Sequence, residues 1–181
     1  MANQGGNALP PGTRVAQVSF EIATQLGAAG MPAGIHARLS ALNCWDAAMY
    51  CASLVGGVVL PANAGNFATA PMFGILQNLT FGRLFPNIGP ARTVTSEDQL
   101  RGLPLGCFIG FVRNGNPPYL RHVMLHAGLG RGCGSHNDCI FTPSRGVWEE
   151  LDMGRFFTTD ANLNTNQNTH MIYAPATGQA I

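Results

Sequence analysis

Asn43-Cys44-Trp45-Asp46-Ala47-Ala48-Met49-Tyr50-Cys51-Ala52 reads as the opening of a helix with a thiol in its first turn. Asn43 is a good N-cap, and Ala47, Ala48, Met49 and Ala52 favour helix. In the first turn, unpaired backbone N–H groups and the helix dipole stabilise a thiolate, so Cys44 is a candidate nucleophile. The competing expectation is a small buried core residue, the common fate of a free cysteine. The helix is expected to end near Gly56-Gly57, and His36 to Leu42 leads into it. Further back, Gly27 to Gly34 is a break around Pro32, and Val15 to Leu26 carries a helical apolar stripe at 15, 18, 22 and 26. Residues 1–12 are rich in Gly, Asn and Pro and read as a flexible arm.

Beyond the helix, residues 58–95 carry loop signals at Pro61, Asn63, Gly65 and Asn66, a short helical stretch at Met72 to Leu79, and apolar cover from Phe81, Leu84, Phe85 and Ile88. From residue 105 the pattern becomes that of strands. Leu105 to Val112 is one, and Asn114-Gly115-Asn116-Pro117-Pro118 is a turn. His122 to Ala127 is a second strand, and Gly132 to Asp138 a turn-rich loop. Cys139 to Phe141 and Val147 to Leu151 are short strands, residues 158–169 a polar loop, and His170 to Tyr173 a last edge strand. Helices first and antiparallel strands second is the α+β pattern. One domain over residues 13–181 is expected, with no internal repeat.

The 181 residues are 46% hydrophobic and only 10% charged, with a net charge of +1. No polybasic footprint suggests nucleic acid or an anionic membrane surface, and the composition is not that of a disordered chain. All ten basic residues are arginine. An arginine-biased genome explains that, and so does selection against ubiquitination in a eukaryotic cytosol. The five cysteines (44, 51, 107, 133, 139) match no zinc spacing. A Cys133–Cys139 disulfide is open on that loop, though reduced thiols are the simpler expectation. The first residues lack the basic start and apolar core of a secretory signal, and Ala52 to Pro61 is too short to span a bilayer. The expectation is synthesis in a bacterial cytoplasm and delivery to a target cell by a secretion system.

A thiol nucleophile needs a base within reach and a third group to orient the base. Among the five histidines, His36 is expected to be structural and His170 lies on the terminal strand. His122 and His126 share one strand and one face, about 13 Å apart, so only one can serve Cys44. His122 and His126 also have a metal-like spacing, but on a strand without flanking carboxylates, so no metal or other cofactor is expected. Trp45 and Tyr50 are read as helix-packing aromatics. Phe108, Phe111 and Met124 are read as core, and Glu149, Glu150 and Asp152 as a solvated strand edge.

The order Cys44-Trp45, then Leu103-Pro104-Leu105-Gly106-Cys107-Phe108-Ile109, then His122-Val123-Met124-Leu125-His126-Ala127-Gly128 resembles the NlpC-type branch of the papain-like cysteine hydrolases. The resemblance spans residues 40–56 and 100–140. It implies a nucleophile helix packed on a C-terminal antiparallel sheet, with Cys44 as nucleophile and His122, first residue of the His-Val strand, as base. Cys107 stands where the family usually has Asp. His122 lies 78 residues after Cys44, which implies an insertion at 58–95. The third member comes from the following loop: His136 is favoured, then Asp138, with Asn137 and Cys133 as alternatives; Ser135 lies in the same loop, and Asp152 and Asp160 are more remote. The Cys44 backbone N–H would hold the oxyanion. The implied function is amide-bond hydrolysis by an effector toxin acting on cell-wall peptides. Alternatives are deamidation of Gln or Asn in a host protein, and a non-catalytic binding or structural domain. A peptide or protein substrate and an immunity protein are the expected partners, with no nucleic acid and no membrane span.

Overall fold

The computed structural model describes residues 33–54, 93–104, 106–116, 118–137, 140, 146–158 and 168–174. The expectations for residues 1–12, for Val15 to Leu26 and for an insertion at 58–95 lie outside these. Among the described residues two helices, α1 (Ala33–Ala41) and α2 (Cys44–Leu54), precede a six-stranded antiparallel sheet. Its strands are β1 (Thr93–Val94), β2 (Phe108–Arg113), β3 (Tyr119–Gly128), β4 (Arg131–Gly134), β5 (Glu149–Asp152) and β6 (Thr169–Ala174). Their order across the sheet is β1-β6-β2-β3-β4-β5. A short helix α3 (Glu97–Arg101) and a 3₁₀ turn (Met153–Phe157) complete an α+β architecture. No helix among the described residues is long and apolar enough to cross a membrane.

α2 starts where a capping residue stands. Asn43 Oδ1 accepts the Asp46 amide N–H at 2.8 Å, and Asn43 Nδ2 donates back to Asp46 Oδ2 at 3.0 Å. That reciprocal pair satisfies a helix-start donor. From there Trp45, Ala47, Ala48, Met49, Cys51 and Ala52 are all buried. A helix apolar nearly all round belongs inside the molecule.

Each face of the sheet has its own core. With α1 and α2 lie Phe108, Val112, Leu120, Val123, Leu125, Cys133, Trp148, Ile172 and Ala174. Ile109, Phe111, Met124, Ile140, Met153 and Met171 form the other core with Leu100 of α3. Period-two alternation along β2 produces this split. In β3 the alternation is reset once: Phe111 opposes His122 while Val112 opposes Leu120, so Arg121 is an extra, bulged residue. Leu120 and Val123 therefore face the helices, and His122 turns to the other side.

Several strand boundaries differ from expectation. β2 begins at Phe108, because Gly106 takes φ 76° and its N–H bonds His126 O at 2.8 Å. Gly132 to Gly134, expected as the start of a turn-rich loop, belong to β4. The glycines there reflect a close neighbour: a Cβ on Gly132 would lie 2.5 Å from Met153 Sδ. β6 is interior, paired with both β1 and β2, and Ile140 sits in a turn, its N–H bonded to Asn137 O at 3.0 Å. α3 went unforeseen although Ser96-Glu97-Asp98-Gln99 has a capping pattern; Ser96 Oγ accepts from Gln99 N at 3.2 Å.

Candidate active site

Cys44 is the first residue of α2, which packs on β3. β4 pairs with β3 only from Leu125 to Gly128, so the β3 edge at Val123 is open to the helix start. Backbone groups of Val123, Trp45 and Cys44 itself hydrogen-bond the sulfur. These lower the thiol's pKa, as expected for a first turn. Burial acts the other way and is larger, and the Asp46 carboxylate adds to it, so the thiol is pushed up to about 11. The expected thiolate is therefore a neutral thiol at rest.

His122 is the residue next to Val123. Its side chain is 1% exposed and lies on the face away from the helices, tilted against Phe111 with ring centroids 5.9 Å apart. Its Nε2 is 2.9 Å from Asn137 Oδ1. The amide orientation of Asn137 is settled by its other end, where Nδ2 donates to Gly134 O at 3.3 Å and to Glu149 Oε1 at 3.2 Å. Oδ1 can then only accept, so Nε2 carries a proton in this contact. Gly134 allows this approach: a Cβ there would stand 3.3 Å from Asn137 Oδ1 and 2.9 Å from Met124 Cγ.

Of the third-member candidates, the structure brings Asn137 to His122. His136 is exposed, in the left-handed region at φ 52°, and its place in the turn directs the next residue inward. Asp138 lies outside the described residues, as do Cys139 and Asp160. Ser135 Oγ donates to Leu42 O at 3.3 Å, tying the loop to the helix layer. Cys133 is a buried thiol on the helix face, raised well above its ordinary value first by burial and then by Cys51 and Glu150. Cys44, Cys51, Cys107 and Cys133 are all free thiols, and burial pushes Cys107 up to about 12. Asp152 is occupied at the sheet's far end, where its Oδ1 caps Gly154 N at 2.9 Å.

The remaining histidines have other duties. His36 Nε2 donates to Trp148 O at 3.2 Å. His126 is buried, with Nδ1 donating to Pro104 O at 3.1 Å; burial lowers its pKa. His170 Nδ1 bonds Asn114 Oδ1 at 2.8 Å. Glu150, expected on a solvated edge, is 5% exposed and ion-paired with Arg131. Glu149, also expected on that edge, reaches Asn137; pairing of Gly134 with Glu149 across β4 and β5 is a tertiary fact with no local signal. Among the described residues no group of three or more His, Cys, Asp or Glu side chains could hold a metal ion. A 260 Å³ cleft lined by Thr93, Val94, Gln99, Gly102, Leu103 and Tyr173 and a 390 Å³ cleft lined by Arg101, Leu129, Arg131 and Asp152 both lie away from Cys44. Comparison of the chain with protein-family models, with curated proteins and with solved structures finds no match.

Proposed function

We propose that this chain is a cysteine-dependent amide-bond hydrolase of the papain-like, NlpC type, with Cys44 as nucleophile, His122 as base and Asn137 as the group that orients the base. The observation that carries the reading is the 2.9 Å contact from His122 Nε2 to an Asn137 amide whose orientation is fixed from behind. A buried imidazole hydrogen-bonded to a fixed amide, one residue along the backbone from the group that touches a helix-start thiol, supports this reading. Because the resting thiol is neutral, His122 Nδ1 takes the proton as sulfur attacks the carbonyl. Proton transfer needs His122 Nδ1 within hydrogen-bond reach of the sulfur. The Cys44 N–H faces the developing oxyanion. The imidazolium then protonates the departing amine or ammonia, and water, deprotonated by His122, cleaves the thioester. In this reading the chain is an effector, and the stem peptides of the cell wall are its substrate.

A second reading, a non-catalytic domain, is favoured by the burial of His122 and by the thiol at about 11. Amine release from wall peptides, and ammonia release from host proteins, by the protein and by Cys44→Ala, His122→Ala and Cys51→Ala decides between them. Loss in the first two variants and retention in the third is expected. Activity that survives Cys44→Ala removes thiol catalysis. Ammonia release without wall cleavage selects the deamidase, and lysis from periplasmic but not cytosolic expression selects the wall.

A further inference from the structure

The Asn137 amide can lie in either of two orientations related by a half-turn, and they have opposite consequences. With its carbonyl toward His122, the ring donates Nε2–H and keeps a basic Nδ1. With its NH₂ toward His122, Nε2 must accept, and the proton moves to Nδ1. Two groups at the far end of the amide favour the first. Gly134 O and Glu149 Oε1 both face Nδ2, at 3.3 and 3.2 Å. A backbone carbonyl only accepts, and so does an ionised carboxylate. A flipped amide would set its carbonyl oxygen against two acceptors, one of them charged.

Glu149 is itself well placed. It opens β5, opposite Gly134, and follows the fully buried Trp148. Trp148 is pinned by its N–H to Ser40 Oγ at 3.0 Å and by its carbonyl to His36 Nε2 at 3.2 Å. The backbone therefore leaves the helix layer at a fixed point, and the Glu149 side chain starts from there.

We infer that Glu149 is a positioning residue, whose carboxylate holds the Asn137 amide so that its carbonyl faces His122 and the imidazole keeps the Nε2–H tautomer. This rests on the reading of His122 as the base, and it can be measured without catalysis. In the full chain carrying Cys44→Ala, ¹⁵N shifts of the His122 ring at neutral pH report the ratio of Nε2–H to Nδ1–H forms. Glu149→Ala is expected to lower that ratio about threefold or more, the loss of one charge-assisted acceptor with Gly134 O remaining. Glu149→Gln keeps an acceptor oxygen at the same reach. Recovery there assigns the role to acceptor geometry, a loss as large as in Ala assigns it to charge, and both support the inference. In the active chain, Glu149→Ala should lower kcat with KM unchanged. A His122 tautomer ratio unchanged in Glu149→Ala, in protein whose urea midpoint shows it folded, overturns the inference whatever the activity assays give. Activity surviving Cys44→Ala overturns the hydrolase reading and leaves the tautomer result standing.

Discussion

Asn137 and His136 adjoin in the chain and differ in everything that matters to a base. Asn137 is fully buried and spends its amide on three partners; His136 is exposed and held at positive φ. Asn137→Ala should lower kcat about 100-fold, since a base in the wrong tautomer forfeits much of the gain from general-base catalysis. His136→Asn should leave kcat within about twofold and raise stability by up to about 1 kcal/mol, because Asn tolerates left-handed backbone better. Steady-state kinetics and urea unfolding on both variants check this; a kinetic defect in His136→Asn alone would return the role to His136. Asp46 makes a pH prediction. Burial, partly offset by Asn43 and Arg38, raises its carboxyl from 3.8 to about 6. The folded chain thus holds a proton that the unfolded chain has released between pH 4 and 6. The stabilisation is complete below that window and is lost as pH rises through it. Asp46→Asn should flatten this slope and be more stable than the parent at pH 7 by about 2 kcal/mol. It should also lower the Cys44 thiol's pKa by removing a nearby negative charge, read as faster alkylation by iodoacetamide.

Among the elements, α2 is the one whose sequence signals agreed with its surroundings. A capping Asn, a reciprocating Asp at N3 and an apolar run over two turns all point to a buried helix beginning at Cys44. Asn43→Ala should cost about 1 kcal/mol in urea unfolding and speed Cys44 alkylation as the first turn frays. A loss of stability with no change in alkylation would show that the cap does not control the thiol's surroundings. The strands were legible where they alternate or run apolar, as at Phe108 to Val112 and His122 to Ala127. They were illegible where tertiary contact overrides local preference. Arg131-Gly132-Cys133-Gly134 reads as turn by composition, yet its glycines are there because Met153 and Met124 press on the strand from one side. His170 to Tyr173 reads as an edge strand, but β1 adds beyond β6 and makes it interior. The site divides the same way. Cys44 has a helix-start signal; His122 lies in a legible strand, though β3 begins earlier, at Tyr119; the contact to Asn137 depends on a turn conformation at His136 and a partner on β5. Neither leaves a mark in the local pattern.

At the scale of the whole molecule, the sheet is a wall with a helix layer on one side and the imidazole on the other. The thiol meets that wall at the stretch of β3 that β4 leaves uncovered. In the middle of β2, Gly110 lies between Val123 of β3 and Ile172 of β6. A Cβ at Gly110 would fall 2.9 Å from Leu120 Cδ1 and 3.0 Å from Ile172 Cγ1. Both of those side chains pack in the core shared with α1 and α2, so the missing side chain lets them fold over the strand beneath the helices. Gly110→Val adds three carbons where no room exists. Overpacking of this kind costs about 1–3 kcal/mol, and the better strand propensity of Val returns less than about 1 kcal/mol of it. The net loss should appear as a lower urea midpoint. Amide hydrogen exchange should locate it, with faster exchange in α2 than in β2 and β6 as the helix layer loosens from an intact sheet. Uniform acceleration across helices and strands would mean instead that the two layers open as one unit, and that the thiol and the imidazole are held by a single cooperative core.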